Sequence, residues 1–153
     1  MLLQYASDLH LEFPENKAYI KANPIIPKGE ILLLAGDLLP FILIDKHNDF
    51  FDYVSDHFQH TYWIPGNHEY YHFDAATKCG TFCEKIRSNV SLVNNWSVKL
   101  NDTLVVFSTL WSKISPQHQW DIEKGMNDFR IIKYDGHRFS FEQYNQLHTD
   151  SLN

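Results

Sequence analysis

Cysteine is scarce in this sequence. The 153 residues include two cysteines, Cys79 and Cys83, which lie four positions apart. Neither a CxxC motif nor a second pair of cysteines and histidines accompanies them, which argues against a thiol redox pair or a structural metal site. If the segment Thr77–Arg87 forms a helix, both cysteines lie on one face of it, and we interpret them as small side chains that pack there.

Glycine, proline and long apolar runs are also few. Gly and Pro number six each, and hydrophobic residues make up 44% of the chain, so residues 1–153 are expected to form a single ordered domain. The longest apolar stretch, Ile31–Ile44, is interrupted by Asp37 and Pro40 and is shorter than the roughly 20 residues of a membrane helix. The N-terminus, MLLQYASDLHLEF, has no basic leader or cleavage site. These features predict a soluble, cytoplasmic protein without a membrane partner.

Positive charge is in short supply. The chain has 13 Lys and Arg residues against 19 Asp and Glu residues, and its formal net charge is −6. The basic residues within Lys21–Lys28 and Lys113–Lys133 are too sparse to form a patch for DNA or RNA, so we do not expect a nucleic-acid partner. A protein of this charge that acts on phosphates needs bound cations to reverse the local field.

Three short apolar runs are typical of buried parallel strands. They are Leu2–Ala6, Ile31–Ala35 and His60–Ile64. Helical patterns are predicted over Phe41–Phe58, over Phe73–Asn89 with Asp74 as the N-cap, and over Phe141–Leu152. Trp96–Leu110 predicts a β-hairpin with its turn at Asn101-Asp102.

Polar residues follow each of the three predicted strands. The first strand is followed by Asp8 and His10, the second by Asp37, and the third by Asn67 and His68. Asp8 and Asp37 are 29 positions apart and Asp37 and Asn67 are 30 apart, about one strand and crossover each. Because ligands of open α/β sheets bind beyond the carboxyl ends of the strands, we expect these five side chains to converge.

The chemistry of these five residues suits divalent cations. Each motif alone also fits an ordinary turn, but together they have the carboxylate, amide and imidazole ligands that hard and borderline cations take. An Asp can bridge two ions, and such a pair clamps both oxygens of an in-line phosphoryl displacement and acidifies a bound water. The sequence therefore predicts a metal site for phosphate chemistry.

The motifs SDLH, AGD and GNHE, in this order, resemble the calcineurin-like metallophosphoesterases. The resemblance is strong over residues 1–71 and continues more weakly through FSTLW, MNDFRII and YNQLHTDSL. It implies an α/β fold, a metallophosphoesterase-type β-sandwich flanked by helices. It also implies two divalent ions, such as Mn²⁺, Fe²⁺/Fe³⁺ or Zn²⁺, and a small phosphorylated substrate or phosphoprotein.

The same resemblance implies a role for each residue of the site. Asp8 and His10 would hold the first metal, Asp37 would bridge, and Asn67 would hold the second. His68 would act on the leaving-group oxygen. Glu69 has no ligand role there, and we interpret it as a supporting or surface carboxylate.

One part of the family pattern is absent. The family completes its metals with later histidines, the last of them in a Gly-His-x-His segment, whereas this chain reads Gly136-His137-Arg138-Phe139. His137 is therefore not assigned as a ligand, and the second metal site is expected to be incomplete. We interpret the chain as the N-terminal part of a phosphoesterase, with a fold incomplete at the C-terminus and exposed strands that a homo-oligomer could cover.

Two other functions compete with a phosphoesterase. A non-catalytic module of the same fold would bind metal weakly, or bind a partner through aromatic residues that look exposed in the sequence, namely Tyr70, Tyr71, Phe73, Trp111 and Trp120. A nuclease would share the fold and the metals, but the net charge disfavours it. The sequence does not identify substrate-binding residues.

Overall fold

Five short strands form a central sheet in the computed structural model, which describes residues 1–152. In chain order these strands are β1 (Leu3–Ala6), β2 (Ile31–Ala35), β3 (His60–Ile64), β4 (Phe82–Arg87) and β5 (Val90–Asn94). Their spatial order is β1-β2-β3-β5-β4. β1, β2, β3 and β5 run parallel, and β4 pairs antiparallel with β5. The three predicted strands and their parallel arrangement are confirmed.

Alternate residues of the central strands enter two different cores. In β2, Leu32 and Leu34 pack into the larger core, which includes the helices, whereas Ile31 and Leu33 pack into a smaller core on the other face. Burial of each such side chain contributes about 1.5–3 kcal/mol. The uninterrupted apolar run of β2 is therefore explained by burial on both faces.

The first strand is less buried than its sequence predicts. β1 lies at the edge of the sheet, where it pairs only with β2, and the side chain of Tyr5 is 80% exposed. The expectation of a buried strand over Leu2–Ala6 is wrong in this respect, because its apolar pattern cannot tell an edge position from a central one.

The crossovers between the parallel strands contain helices. α1 (Pro14–Ala22), which the sequence analysis did not predict, joins β1 to β2 and begins with proline at its first position. A 3₁₀ helix (Phe41–His47) and α2 (Asn48–His57) join β2 to β3. α2 buries Phe50, Phe51 and Val54, so the helix predicted over this crossover is confirmed in its second half.

The helix predicted over Phe73–Asn89 is wrong. Asp74 does cap a helical turn, and its Oδ1 accepts a hydrogen bond from the Ala76 amide, but this 3₁₀ turn ends at Thr77. Gly80 then adopts a left-handed φ of +75°, and the chain continues as β4, whose partner is β5. Strand pairing therefore overrides the helical pattern, and Cys79 and Cys83 do not share a helix face.

A second layer covers the other face of the sheet. β6 (Trp96–Leu100) and β7 (Thr103–Phe107) form the predicted hairpin, whose turn residue Asn101 has a φ of +53°. Phe107 packs with Tyr62 and Val93 of the central sheet. The central sheet, with helices on one face and the β6–β7 hairpin on the other, gives the expected α/β metallophosphoesterase-type sandwich.

The rest of the described chain packs on the helical side. Its elements are α3 (Gln119–Gly125), α4 (Asp128–Ile131), β8 (Lys133–Tyr134), β9 (His137–Arg138) and α5 (Phe141–Ser151). A capping box of Ser140 and Gln143 begins α5, which buries Tyr144 and Leu147. Across residues 1–152, none of the helices combines the length and the apolar character needed to cross a bilayer.

Candidate metal centre

The loops after β1 and β2 run side by side at the carboxyl edge of the sheet. The Asp8 amide donates to the Gly36 carbonyl at 3.1 Å, and the His10 amide donates to the Asp37 carbonyl at 3.0 Å. These bonds extend the parallel pairing of β1 and β2 beyond the strands themselves. The predicted convergence of the first two motifs is therefore present in the backbone.

Asp8, His10 and Asp37 bring their ligand atoms together. One ligand atom from each lies within 4.8 Å of those of the other two. All three residues have left-handed backbone conformations, with φ values of 56°, 46° and 53°. Such a conformation costs a non-glycine residue about 1–2 kcal/mol, and it is concentrated where a site aims its side chains.

Two glycines allow the loop after β3 to approach this cluster. A Cβ on Gly66 would lie 2.1 Å from Oδ1 of Asp37, and a Cβ on Gly36 would lie 3.0 Å from the Gly66 nitrogen. The same Asp37 oxygen accepts a hydrogen bond from the His68 amide at 3.1 Å. The glycines of the AGD and GNHE motifs thus permit the close contact of the two loops.

Asn67 is held by a carboxylate from the later part of the chain. Its side-chain nitrogen donates to Oδ1 of Asp128 at 2.9 Å, and the Tyr71 hydroxyl donates to the same oxygen at 3.0 Å. Asp128 is only 2% exposed, and its Oδ2 has no hydrogen-bond partner among the described residues. Because a carboxylate only accepts, the atom of Asn67 that faces Asp128 is the amide nitrogen and not the amide oxygen.

His68 and His10 meet at one carboxylate oxygen. Oε1 of Glu12 lies 3.2 Å from Nδ1 of His10 and 3.2 Å from Nδ1 of His68. His68 also stacks on Tyr71, with 4.2 Å between the ring centroids. All five predicted site residues thus lie at the carboxyl edge of the sheet.

Sequence reasoning missed Glu12 and Asp128. Glu12 stands two positions after His10, and Asp128 lies in MNDFRII, a stretch that carried the weaker family resemblance. These two positions in the sequence were the only hints that the carboxylates belong to the site. Position in the sequence alone does not show which of the chain's carboxylates reaches the site.

Glu69 is a buried support for the loops. Its Oε1 accepts from the Leu38 amide and the Trp63 indole, and its Oε2 accepts from the amides of Asp37 and Gly66. Burial raises the pKa of Glu69 to about 7, although the bonds from Leu38, Gly66 and Trp63 oppose this rise. Both oxygens are engaged, which agrees with the expectation of a supporting carboxylate and excludes a surface one.

Asp8, Asp37 and Asn67 line a cleft of about 320 Å³, whereas His10 and His68 are not among its lining residues. Three carboxylates and one amide line it, together with Ala35, Gly36, Gly66, Thr109, Leu110, Trp111, Ser112, Met126 and Tyr144; the carboxylates are Asp8, Asp37 and Asp128, and the amide is Asn67. No Lys or Arg stands among these lining residues. A phosphate entering this cleft would meet carboxylates unless cations were bound there.

The aromatic residues expected at the surface are mostly inside. Tyr70 and Trp111 are buried, and Tyr71 and Phe73 are half-buried. Trp120, which is 68% exposed, is the one of the five that fits the expectation. The expected exposure is therefore wrong for Tyr70 and Trp111, and it is only partial for Tyr71 and Phe73.

His137 and His148, the later histidines, do not join the cluster. His137 is exposed on β9, and Nδ1 of His148 bonds to the Trp111 carbonyl. Neither belongs to the metal-ligating groups that residues 1–152 bring together. This agrees with leaving His137 unassigned.

The residues present fit a divalent cation. Carboxylates and one imidazole converge within ligand reach of each other, and Asp128 and Glu12 each keep a buried oxygen without a partner among residues 1–152. Oxygen and imidazole ligands suit Mn²⁺, Fe or Zn²⁺. These two buried carboxylate oxygens are costly unless another group, such as a cation, compensates them.

A family model for calcineurin-like phosphoesterases matches residues 5–150. The chain belongs to this family. It is 31% identical to an uncharacterised protein of Acanthamoeba polyphaga mimivirus, over 99% of this chain and 60% of that protein. The structure resembles the phosphopantetheinyl hydrolase of Mycobacterium tuberculosis, with a TM-score of 0.61, 16% identity, and coverage of 98% of this chain and 61% of the other. The chain thus spans about three fifths of the length of each of these two proteins.

Proposed function

We propose that this chain hydrolyses phosphate monoesters or diesters with two divalent cations held at the carboxyl edge of its sheet. The observation that carries the proposal is the convergence of Asp8, His10 and Asp37, with their ligand atoms within 4.8 Å, beside the oriented amide of Asn67. Membership of a metal-dependent phosphoesterase family supports it.

Two cations would divide these ligands between them, with Asp37 in common. Asp8, His10 and Asp37 would hold the first ion, and Asp37 and the Asn67 amide oxygen would hold the second. Bound there, the cations would polarise the phosphoryl oxygens and supply an acidified water as the nucleophile. The protein's own part is to fix the carboxylates, which the loop pairing and the glycine contact accomplish.

His68 is the residue that would protonate the leaving-group oxygen. Its Nδ1 faces Glu12, so Nε2 is the nitrogen available to exchange a proton with a substrate. The backbone amide of His68 donates a hydrogen bond to Oδ1 of Asp37, which fixes the position of His68 relative to the proposed bridging carboxylate. A protonated His68 would also stabilise negative charge on the departing oxygen.

The cleft favours small substrates with an uncharged leaving group. Its wall opposite the carboxylates is apolar or neutral, with Leu110, Trp111 and Met126. The lack of Lys and Arg among the lining residues gives no contact for a second phosphate, and the net charge of −6 repels nucleic acids. An organic phosphate of low molecular weight is the substrate class that fits.

The test combines a metal count with turnover. Purified chain would be loaded with Mn²⁺, analysed by inductively coupled plasma mass spectrometry, and assayed with p-nitrophenyl phosphate and bis-p-nitrophenyl phosphate. Asp37→Asn is the test variant, and Asp56→Asn, at an exposed position of α2, is the matched control. The expected result is Mn²⁺-dependent hydrolysis and bound Mn²⁺, with the second ion held more weakly than the first. Both hydrolysis and bound Mn²⁺ should be lost in Asp37→Asn and retained in Asp56→Asn.

Two other outcomes have distinct meanings. Hydrolysis that survives both chelation and Asp37→Asn would refute the proposed function. One weakly bound ion without turnover would instead support the non-catalytic module, since Asp37 and Asn67 alone would then be too few ligands for the second ion.

A further inference from the structure

One carboxylate contacts both histidines of the site. Oε1 of Glu12 lies 3.2 Å from Nδ1 of His10 and 3.2 Å from Nδ1 of His68, and the two rings lie edge to face with their centroids 4.4 Å apart. The Glu12 side chain is 13% exposed, so water competes little for these contacts. The metal-ligand histidine and the leaving-group histidine therefore share an acceptor.

This geometry determines which ring nitrogen carries the proton. A carboxylate only accepts hydrogen bonds, and a neutral imidazole has one N–H and one bare nitrogen. With N–H at Nδ1, Nε2 is the bare nitrogen of each ring, which is the atom that could bind a metal at His10 and exchange a proton at His68. A metal-ligating histidine ordinarily donates its other N–H to such a partner, which sets its orientation.

A contrast with Glu69 separates this arrangement from a structural one. All four contacts of Glu69 go to the backbone amides and the indole that hold the loops together. Glu12 contacts the two site imidazoles, and its Oε2 has no hydrogen-bond partner among residues 1–152. The bonds of Glu12 thus serve the orientation of the site rings.

The same three side chains could instead be considered as a separate metal site. His10, Glu12 and His68 place ligand atoms within 4.8 Å of one another, and two imidazoles with a carboxylate suit Zn²⁺. However, His10 also belongs to the group with Asp8 and Asp37. A ring that uses Nε2 for that ion keeps its proton on Nδ1, which then cannot bind a second metal.

We propose that Glu12 is a positioning residue that sets the Nδ1–H tautomer of His10 and His68 together. One carboxylate then controls both the delivery of a nitrogen ligand to the first metal and the presentation of the proton-transfer nitrogen to the leaving group. The part that concerns leaving-group protonation rests on the proposed function, whereas the tautomers and the metal ligation do not.

The first measurement needs no activity. Long-range ¹H–¹⁵N correlation spectra of the metal-free chain, at about two pH units above the ordinary imidazole pKa, report the tautomer of each neutral ring. His10→Gln and His68→Gln assign the signals. The native chain should show Nδ1–H at both rings, and a bare Nδ1 at either ring would overturn the proposal even if no Glu12 variant folds.

Three variants then test the role of Glu12. Glu12→Ala should remove the common Nδ1–H state from both rings. Glu12→Gln should retain it, because the amide oxygen can take the place of Oε1 and its nitrogen replaces an oxygen that makes no bond. Glu15→Gln, at an exposed position three residues later, controls for the change in charge. Unchanged tautomers in Glu12→Ala would contradict the proposal.

Metal binding and kinetics complete the test. Glu12→Ala should weaken Mn²⁺ binding in titration calorimetry by about 10–100-fold, with Glu12→Gln closer to the native chain and Glu15→Gln unchanged. If the chain hydrolyses phosphate esters, kcat should fall in Glu12→Ala with KM little changed.

An absence of turnover in the native chain refutes the proposed function but leaves the spectroscopic and metal-binding results decisive. An ion that persists in Asp37→Asn and is lost in Glu12→Ala would show a metal at Glu12 and overturn the positioning role.

Discussion

The side-chain amide of Asn67 donates a hydrogen bond to Oδ1 of Asp128 at 2.9 Å, although 61 positions separate the two residues. Asp128 begins α4, and its carboxylate also accepts from Tyr71. The contact turns the amide oxygen of Asn67 away from Asp128 and makes it available to a cation. The α4 segment therefore takes part in the orientation of a proposed metal ligand that follows β3.

Loss of the Asp128 side chain should release Asn67. Asp128→Ala removes the acceptor of two half-buried donors, so we expect a loss of about 1–3 kcal/mol in unfolding free energy and weaker Mn²⁺ binding. Asp128→Asn keeps one carbonyl oxygen for Asn67 and should lose less. Urea denaturation and titration calorimetry of the two variants measure both effects, and equal losses would contradict the role of the acceptor.

Gly66 should tolerate no side chain. Because an added Cβ would lie 2.1 Å from Asp37 Oδ1 and 2.9 Å from the Asp37 nitrogen, Gly66→Ala must displace the bridging carboxylate. We expect a loss of about 2–4 kcal/mol in stability and loss of bound metal.

Gly125→Ala is the matched control, since a Cβ there meets nothing within 4 Å. That variant should change stability by less than about 1 kcal/mol. A metal-replete, fully stable Gly66→Ala protein would show that the loops can separate without consequence.

Asp8 should reduce the stability of the metal-free protein. Its carboxylate lies close to that of Asp37, and both charges are negative. Asp8→Asn removes this repulsion and retains a residue type that accepts a left-handed φ. We expect the melting temperature in EDTA to rise by about 2–4 °C, and the stabilisation of the native chain by Mn²⁺ to be lost. Thermal denaturation with and without Mn²⁺ checks both, and a lower melting temperature in EDTA would count against repulsion.

Glu69→Gln should destabilise the fold more than any exposed Glu→Gln change. Four N–H donors point at the two carboxylate oxygens, and a glutamine would place its own NH₂ against two of them. The expected cost is about 2–4 kcal/mol in unfolding free energy. Glu142→Gln, at an exposed position of α5, should cost less than about 1 kcal/mol. Chemical denaturation of both variants decides this, and similar midpoints would mean that the donors find other partners.

Much of the site was predictable because each of its motifs is local. Asp8, His10, Asp37, Asn67 and His68 each follow an apolar run directly, and parallel strands bring such positions to one edge. The hairpin turn at Asn101-Asp102 was predictable for the same reason, since turn chemistry depends on adjacent residues. Their mutual distances were not predictable, because they depend on the close packing of Gly36 against Gly66.

Patterns that fit more than one structure led to the errors. Residues 82–87 became strand β4 because β5 offers a pairing partner, which no window of residues 73–89 contains. The exposure of Tyr5 and the burial of Tyr70 and Trp111 were predicted wrongly, because burial depends on which other elements pack over a side chain. Propensity and periodicity are properties of one segment, whereas pairing and burial are properties of two.

The sequence by itself determined the family, the parallel core of β1 to β3 and the set of residues at its carboxyl edge. These follow from local patterns of apolar runs, glycines and polar residues. Only the tertiary structure decided that Glu12 joins His10 to His68 and that Asp128 orients Asn67. The physical reason is that hydrogen bonds between side chains require approach within about 3 Å. For residues 56 or 61 positions apart, such an approach depends on how the core packs and not on the sequence between them.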